Sequence, residues 1–159
     1  MSTLDGGVPD TPERHLAAIL AADIVGYSRR MEHQEVATLR RLRDLRSNLI
    51  EPKITEYRGR LFKTMGDGFL AEFGSVVDAV YCAVDIQRMM VARNLDLQAN
   101  EQIQLRIGIN LGDVFREGDD VFGDDVNIAA RLESMTPPGG IYVSRGVYDP
   151  VRERLAFEF

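Results

Sequence analysis

Apolar positions change their period several times along this chain, and each change marks an element. From Leu16 to Ile24 the run Leu-Ala-Ala-Ile-Leu-Ala-Ala-Asp-Ile is almost continuously apolar, which predicts a buried central strand. Val36, Leu39, Leu42, Leu45 and Leu49 then recur at the three- and four-residue spacing of one helix face. Arg40, Arg41, Arg43 and Arg46 fall largely off that stripe and predict its solvated side. Pro52 is expected to end or kink the helix. After it, Leu61, Lys63 and Met65 alternate with Phe62 and Thr64, and Gly66-Asp67-Gly68 separates them from Phe69-Leu70-Ala71. That is a hairpin, Arg60 to Phe73, with an acid at its bend and glycines that permit the turn.

Ser75 is a candidate N-cap for a second helix, whose Val76, Ala79, Val80, Ala83, Val84, Gln87 and Met90 fall on one side. Ile103 to Ile109 alternates as a strand ending near Gly112, and Val114-Phe115 continues extended to a turn at Glu117-Gly118. Asp124 to Met135 predicts a third helix, stopped by Pro137-Pro138-Gly139-Gly140. Ile141 to Ser144 predicts a short strand, Arg145 to Arg154 a short helix, and Leu155 to Phe159 the first half of a final strand. The first six elements have the order of a split β-α-β-β-α-β unit. The fold class is therefore α+β, a ferredoxin-like core with an additional C-terminal α/β extension.

A chain of 159 residues fits one domain without covalent staples. Residues 1–13, rich in Gly, Pro, Asp and Thr, are expected to be a flexible lead-in, and 14–159 the domain. The net charge of −6 argues against general nucleic-acid or anionic-membrane binding, though it allows a local cationic pocket. The single cysteine, Cys82, excludes an internal disulfide and fits a reducing compartment. With no apolar run of membrane length and no secretory signal in Met1 to Thr11, the expected location is the cytoplasm, as a protein or as part of a larger one, with no membrane contact by this segment.

The chemistry starts from two acids. Asp23 stands near the end of an apolar strand, where it is costly unless paired or metal-bound. Asp67 sits at the hairpin tip, where an Asp-Gly turn commonly serves only local amides. In the split topology the first strand and the hairpin are neighbours, so these acids can converge. Two carboxylates with substrate phosphates are the usual grip on magnesium. A pair of such ions about 3.5–4 Å apart suits phosphoryl chemistry. Gly26-Tyr27-Ser28, ahead of a helix, offers backbone N–H groups to anionic oxygens. Asn127 and Arg131, four apart, share a helix face and suit a ribose and a phosphate, while Ile128 and Leu132 can pack inward. By spacing alone an exposed polar face explains that pair equally well. His15 and His33 have no partners at metal-ligand or triad spacing and are expected at the surface.

Four ordered blocks resemble the signature blocks of class III adenylate/guanylate cyclase catalytic domains of the bacterial, short-armed type. They are Ala22-Asp23-Ile24-Val25-Gly26-Tyr27-Ser28, Lys63-Thr64-Met65-Gly66-Asp67-Gly68-Phe69, Arg106-Ile107-Gly108-Ile109-Asn110-Leu111-Gly112, and Asp120 through Glu133. The resemblance spans residues 14–159. It implies that Asp23 and Asp67, assisted by the backbone carbonyl of Ile24, hold two Mg2+ or Mn2+ ions. It places Lys63 and Asp120 at the base-selecting positions in the adenine-reading combination, Asn127 at the ribose and α-phosphate, and Arg131 as the arginine that stabilises the transition state. The implied activity is an adenylate cyclase that converts ATP to 3′,5′-cyclic AMP and pyrophosphate, in two active sites shared across a homodimer.

Two departures accompany it. The family normally continues past Phe159 with a strand pair bearing a lysine for the triphosphate, so the domain is expected to be C-terminally truncated. Asp113 stands where several relatives carry a phosphate-binding arginine, and Arg116 is nearby but not equivalent. The alternatives are a catalytically silent, cyclase-like regulatory or dimerisation module, and a guanylate cyclase. A diguanylate cyclase or polymerase palm shares the two-acid logic but has no place for the Asn127/Arg131 helix.

Overall fold

The structure, a computed structural model, describes residues 12–154. Its centre is β1 (Glu13–Ile24), buried along most of its length as the apolar run requires. Alternation sends Ala18, Leu20, Ala22 and Ile24 to one face and Ala17, Ile19 and Ala21 to the other, and each row joins its own apolar cluster. On either side of β1 lie β3 (Gly68–Phe73) and β4 (Leu105–Glu117), both antiparallel to it. β2 (Arg60–Met65) lies outside β3. The outer edge of β4 is shared: β5 (Asp120–Phe122) pairs with Phe115 to Glu117, and β6 (Ile141–Val143) runs parallel to Ile107 to Ile109. The α+β class and the split core are as expected. A three-residue strand such as β5 is too short to show a period in sequence.

The helical stretch after β1 runs as α1 (Tyr27–Leu45), a π-helical turn (Arg46–Ile50) and α2 (Glu51–Glu56). Pro52 therefore does not end the helix. It sits in the first turn of α2, and the wide turn just before it absorbs the missing N–H. The apolar stripe is corrected at its start: Val36 and Leu39 are exposed, and Thr38, Leu42, Leu45 and Leu49 are buried. The break at Gln34 (φ −147°, ψ 58°) precedes the stripe; within it, steps of three residues drift about 60° each around a helix of 3.6 residues per turn, so Val36 lies on the side opposite Leu45. α3 (Val76–Leu95) is capped as predicted, with Ser75 Oγ accepting from the Asp78 N–H at 3.2 Å. Its buried Gln87 donates to the carbonyls of Leu105 and Gly140, both at 3.0 Å, pinning the helix to β4 and the β6 approach. Cys82 is buried packing, and burial pushes its thiol up to about 12.

α1 to α3 and α5 (Arg145–Val151) cover one face, while α4 (Asp124–Ser134) lies on the other. The sheet curls on the α4 side. β2 and β5 are at opposite ends of the strand order, yet they touch, and Arg60 Nη1 donates to the Asp119 carbonyl at 3.0 Å. Most of the expected lead-in, 1–11, and the expected final strand, 155–159, lie outside the described residues. Among the described residues no helix is long and apolar enough to cross a membrane.

Candidate functional site

The two acids meet at one end of the sheet. Asp23 pairs across the ladder with Gly68, and the Ile24 N–H donates to the Asp67 carbonyl at 2.7 Å. The hairpin tip is docked directly on β1: a Cβ on Gly68 would lie 2.2 Å from the Ala22 carbonyl oxygen. The glycines flanking Asp67 thus serve close approach, since neither has a positive φ. Gly66 is crowded in the same way by the Tyr27 hydroxyl, 2.6 Å from its would-be Cβ. That contact brings the Gly26-Tyr27 loop beside the turn. Gly26 adopts φ +73° at the head of α1, and the Ser28 side chain lies outside the described residues.

Asp23, Ile24 and Asp67 border one narrow cleft of about 20 Å³, whose other walls are largely apolar, Leu42, Leu45, Ile50, Phe69 and Leu105 among them. It is far too small for a nucleotide. Its donors are hard carboxylates, and among the described residues no group of three or more His, Cys, Asp or Glu is poised to hold a metal alone. Two hard carboxylates suit a hard divalent cation such as Mg2+ or Mn2+. A larger cavity, about 850 Å³, lies elsewhere, between α3, β6 and α5, and none of the predicted site residues lines it.

Asp23 also has partners that its sequence position did not reveal. Arg106 on β4 grips it bidentately, Nε to Oδ1 at 2.9 Å and Nη2 to Oδ2 at 2.6 Å, and donates through Nη1 to the Ser134 carbonyl at 3.2 Å. Glu133 of α4 stands behind this pair. Its buried Oε2 has no hydrogen-bond partner and lies 3.7 Å from Arg106 Nη2. Burial first, then contact with the Asp23 carboxylate, push Glu133 up to about 8, against the pull of Arg106. The signal for Arg106 was its place in an alternating strand, between inward Leu105 and Ile107. Naming its partner required the register.

α4 is seated by missing side chains. A Cβ on Gly108 would lie 2.4 Å from the Glu133 nitrogen, and one on Gly112 would lie 2.2 Å from Asp125 Cγ. Asn110, buried, donates to the Asp125 carbonyl at 2.9 Å. Lying this close, the helix turns Val126, Ala129 and Glu133 inward. Ile128 and Leu132, expected to pack inward, are half-buried, because the inward row is the one that abuts the glycines. Asn127 and Arg131 do share the exposed face. Arg131 lines a shallow depression with Ile128, Leu132, Ser134 and Met135, apart from the Asp23–Asp67 cleft.

Lys63 and Asp120 are exposed on β2 and β5, the strands that the curl brings together. Strict alternation would have set Lys63 on the same face as Leu61. A bulge between them changes this: Leu61 pairs with Ala71 and Lys63 with Leu70, so Lys63 joins the α4 face. On that face, at the far end from Asp23, Glu72 receives Arg116 Nη2 at 2.7 Å, Arg60 Nε at 2.7 Å and His15 Nε2 at 3.2 Å. His15 is therefore half-buried and partnered, contrary to the surface expectation, while His33 is exposed. Burial raises Glu72, but the bonds from Arg116, Arg60 and His15 outweigh it and hold the carboxyl below its usual value.

The profile of the adenylate and guanylate cyclase catalytic domain matches residues 11–159. The chain is 49% identical over 146 residues to a Rhizobium meliloti (strain 1021) protein named "Putative adenylate cyclase 3", covering 92% of this chain and 25% of that protein. It thus spans about a quarter of that relative's length. Among solved structures it matches the adenylate/guanylate cyclase/hydrolase from Silicibacter pomeroyi at TM-score 0.87 and 47% identity, covering 93% of this chain and 86% of that one. It matches the guanylyl cyclase Cya2 at TM-score 0.77 and 27% identity, covering 87% and 79%.

Proposed function

Because the chain belongs to the adenylate and guanylate cyclase catalytic domain family, we propose that it converts ATP to 3′,5′-cyclic AMP and pyrophosphate at sites shared between two copies. The observation that carries this reading is the junction of Asp23 and Asp67 at one end of the sheet, where the hairpin tip docks on β1 and both carboxylates act on Arg106. These carboxylates, with the Ile24 carbonyl, would hold Mg2+ or Mn2+, which supplies Lewis-acid activation of the 3′-oxygen and the phosphates. The backbone at Gly26 to Ser28 orients the triphosphate from the head of α1. Lys63 donates to an adenine ring nitrogen and Asp120 accepts from its amino group, a pairing that favours ATP over GTP. Asn127 orients the ribose, and Arg131 meets the charge that builds on the phosphoryl oxygens.

The separation of Arg131 from the acid cleft supports a divided site, with the acids from one copy facing the base readers and Arg131 of another. The domain takes in residues 14–159 on this reading. Cyclic AMP formation from Mn-ATP tests it: Asp67→Asn lowers turnover by about a thousandfold or more. Asp23→Ala and Arg131→Ala chains, each inactive alone, regain partial activity on mixing. Full activity of the Asp67 variant removes the metal assignment, and absence of rescue removes the shared site. Nucleotide binding without product marks a silent module instead.

A further inference from the structure

We propose that Arg60 is a positioning residue for nucleotide selection: it straps β5 to β2 and so sets the separation of Lys63 from Asp120. The inference rests on the base-reading roles proposed above. Because of the bulge, Arg60 and Lys63 stand on the same face of β2, opposite Glu72 and Leu70 respectively. From there Arg60 Nη1 donates to the Asp119 carbonyl at 3.0 Å, one residue before Asp120. The other side of the same guanidinium is anchored: its Nε and Nη2 sit on Glu72 Oε2 at 2.7 and 2.5 Å.

Glu72 is a firm anchor, since its side chain is 6% exposed and is itself held by Arg116 and His15. A planar fork fixed on one edge and donating from the other behaves as a spacer of set length. The other support across this gap is apolar and sets no polar spacing: Val121 of β5 is buried in the cluster that Phe62 of β2 packs against. No ladder joins β2 to β5, and β5 is a three-residue strand paired only with the end of β4, beyond a turn where Gly118 has φ +62°.

Discrimination between adenine and guanine requires the ammonium and the carboxylate to meet opposite groups of one rigid ring, so their separation matters as much as their identity. Loosening the strap therefore costs selectivity before it costs turnover. The molecule also supplies its own control. Arg116 Nη2 donates to Glu72 Oε2 at the same 2.7 Å, and among the described residues its side chain makes no hydrogen bond to Asp119.

The experiment compares Arg60→Gln, Arg60→Lys and Arg116→Gln with the parent chain, using kcat/KM for Mn-ATP and Mn-GTP. Equilibrium binding of the α,β-methylene analogues of both nucleotides is measured in parallel, so a slow enzyme still reports. Both Arg60 variants are expected to narrow the ATP-over-GTP preference by about tenfold. Arg60→Lys retains the cation for Glu72 yet cannot span both partners. Arg116→Gln is expected to leave the preference within about twofold. Lys63→Ala and Asp120→Ala serve as references. If these references collapse the preference while the Arg60 variants behave like Arg116→Gln, the strap is refuted and the base reading stands. If the references leave the preference intact, or the parent chain has none, the base reading fails and the strap fails with it.

Discussion

Acids lie toward both ends of the α4 face of the sheet, and the cations around them make the two ends different. At one end Glu72 has two arginines to itself, Arg60 and Arg116, and the imidazole of His15, drawn from β2, β4 and β1. At the other, Asp23 and Glu133 share Arg106, with Asp67 near enough to act electrostatically on both Arg106 and Glu133. An acid with an excess of cations is a cross-link and has nothing further to bind. Acids that must share a single arginine stay under-neutralised, and they leave a favourable place for a positive ion. The same residue chemistry is structural at one end and suited to a divalent ion at the other. The count of neighbouring charges separates the two roles.

The largest stability effect expected from this contrast is at Glu72. Glu72→Ala leaves Arg60 and Arg116 facing each other over a buried hole, and urea denaturation should show a loss of about 2–3 kcal/mol. The figure is below that of a fully buried pair because both arginines are more than a third exposed. A loss under about 0.5 kcal/mol would mean that Glu72 is no cross-link, and the comparison would fail at its firmer end.

The next effect is in ion binding. Mn2+ with α,β-methylene-ATP should raise the melting temperature, by the equivalent of about 2.7 kcal/mol at a hundredfold excess over Kd. Asp23→Asn or Asp67→Asn should remove the rise, and Glu72→Gln should leave it. Equal responses at both ends would show that Mn2+ does not distinguish crowded from under-neutralised acids.

Parts of this arrangement are legible in the residues alone. The apolar run of β1, the Gly-Asp-Gly tip and the Asn127/Arg131 face carry strong local signals, and all three elements form where they were expected. What escaped was set by register. Glu72 follows Phe69-Leu70-Ala71 with no local signal of its own, yet it becomes the hub for three other strands. His15 looked like a surface residue because its partner is 57 positions away. The bulge that turns Lys63 to the α4 face is a two-for-one pairing with β3, and nothing in the period of β2 announces it. Arg106 was visible as a strand residue, but its grip on Asp23 spans 83 positions. Local period predicts elements and faces; which charges meet depends on how strands are paired.

The smallest effect is the one that tests the under-neutralised end most directly. Glu133 carries its proton to higher pH in the folded chain than in the unfolded one, because burial and the Asp23 carboxylate both oppose ionisation. Between the ordinary glutamate value near 4.5 and the folded value of about 8, the folded state therefore binds more protons than the unfolded state. Unfolding free energy must then fall as pH rises through that window, the reverse of the slope from Glu72, whose lowered value gives stability that is lost only on acidification. With chelator present, denaturation at pH 5 and at pH 8 should show a decline of at least about 1 kcal/mol, and Glu133→Gln should flatten it. Glutamine keeps the shape and cannot ionise, so it isolates the charge. A slope unchanged by Glu133→Gln would assign the pH dependence to other groups and show that Arg106 alone is enough to neutralise both acids.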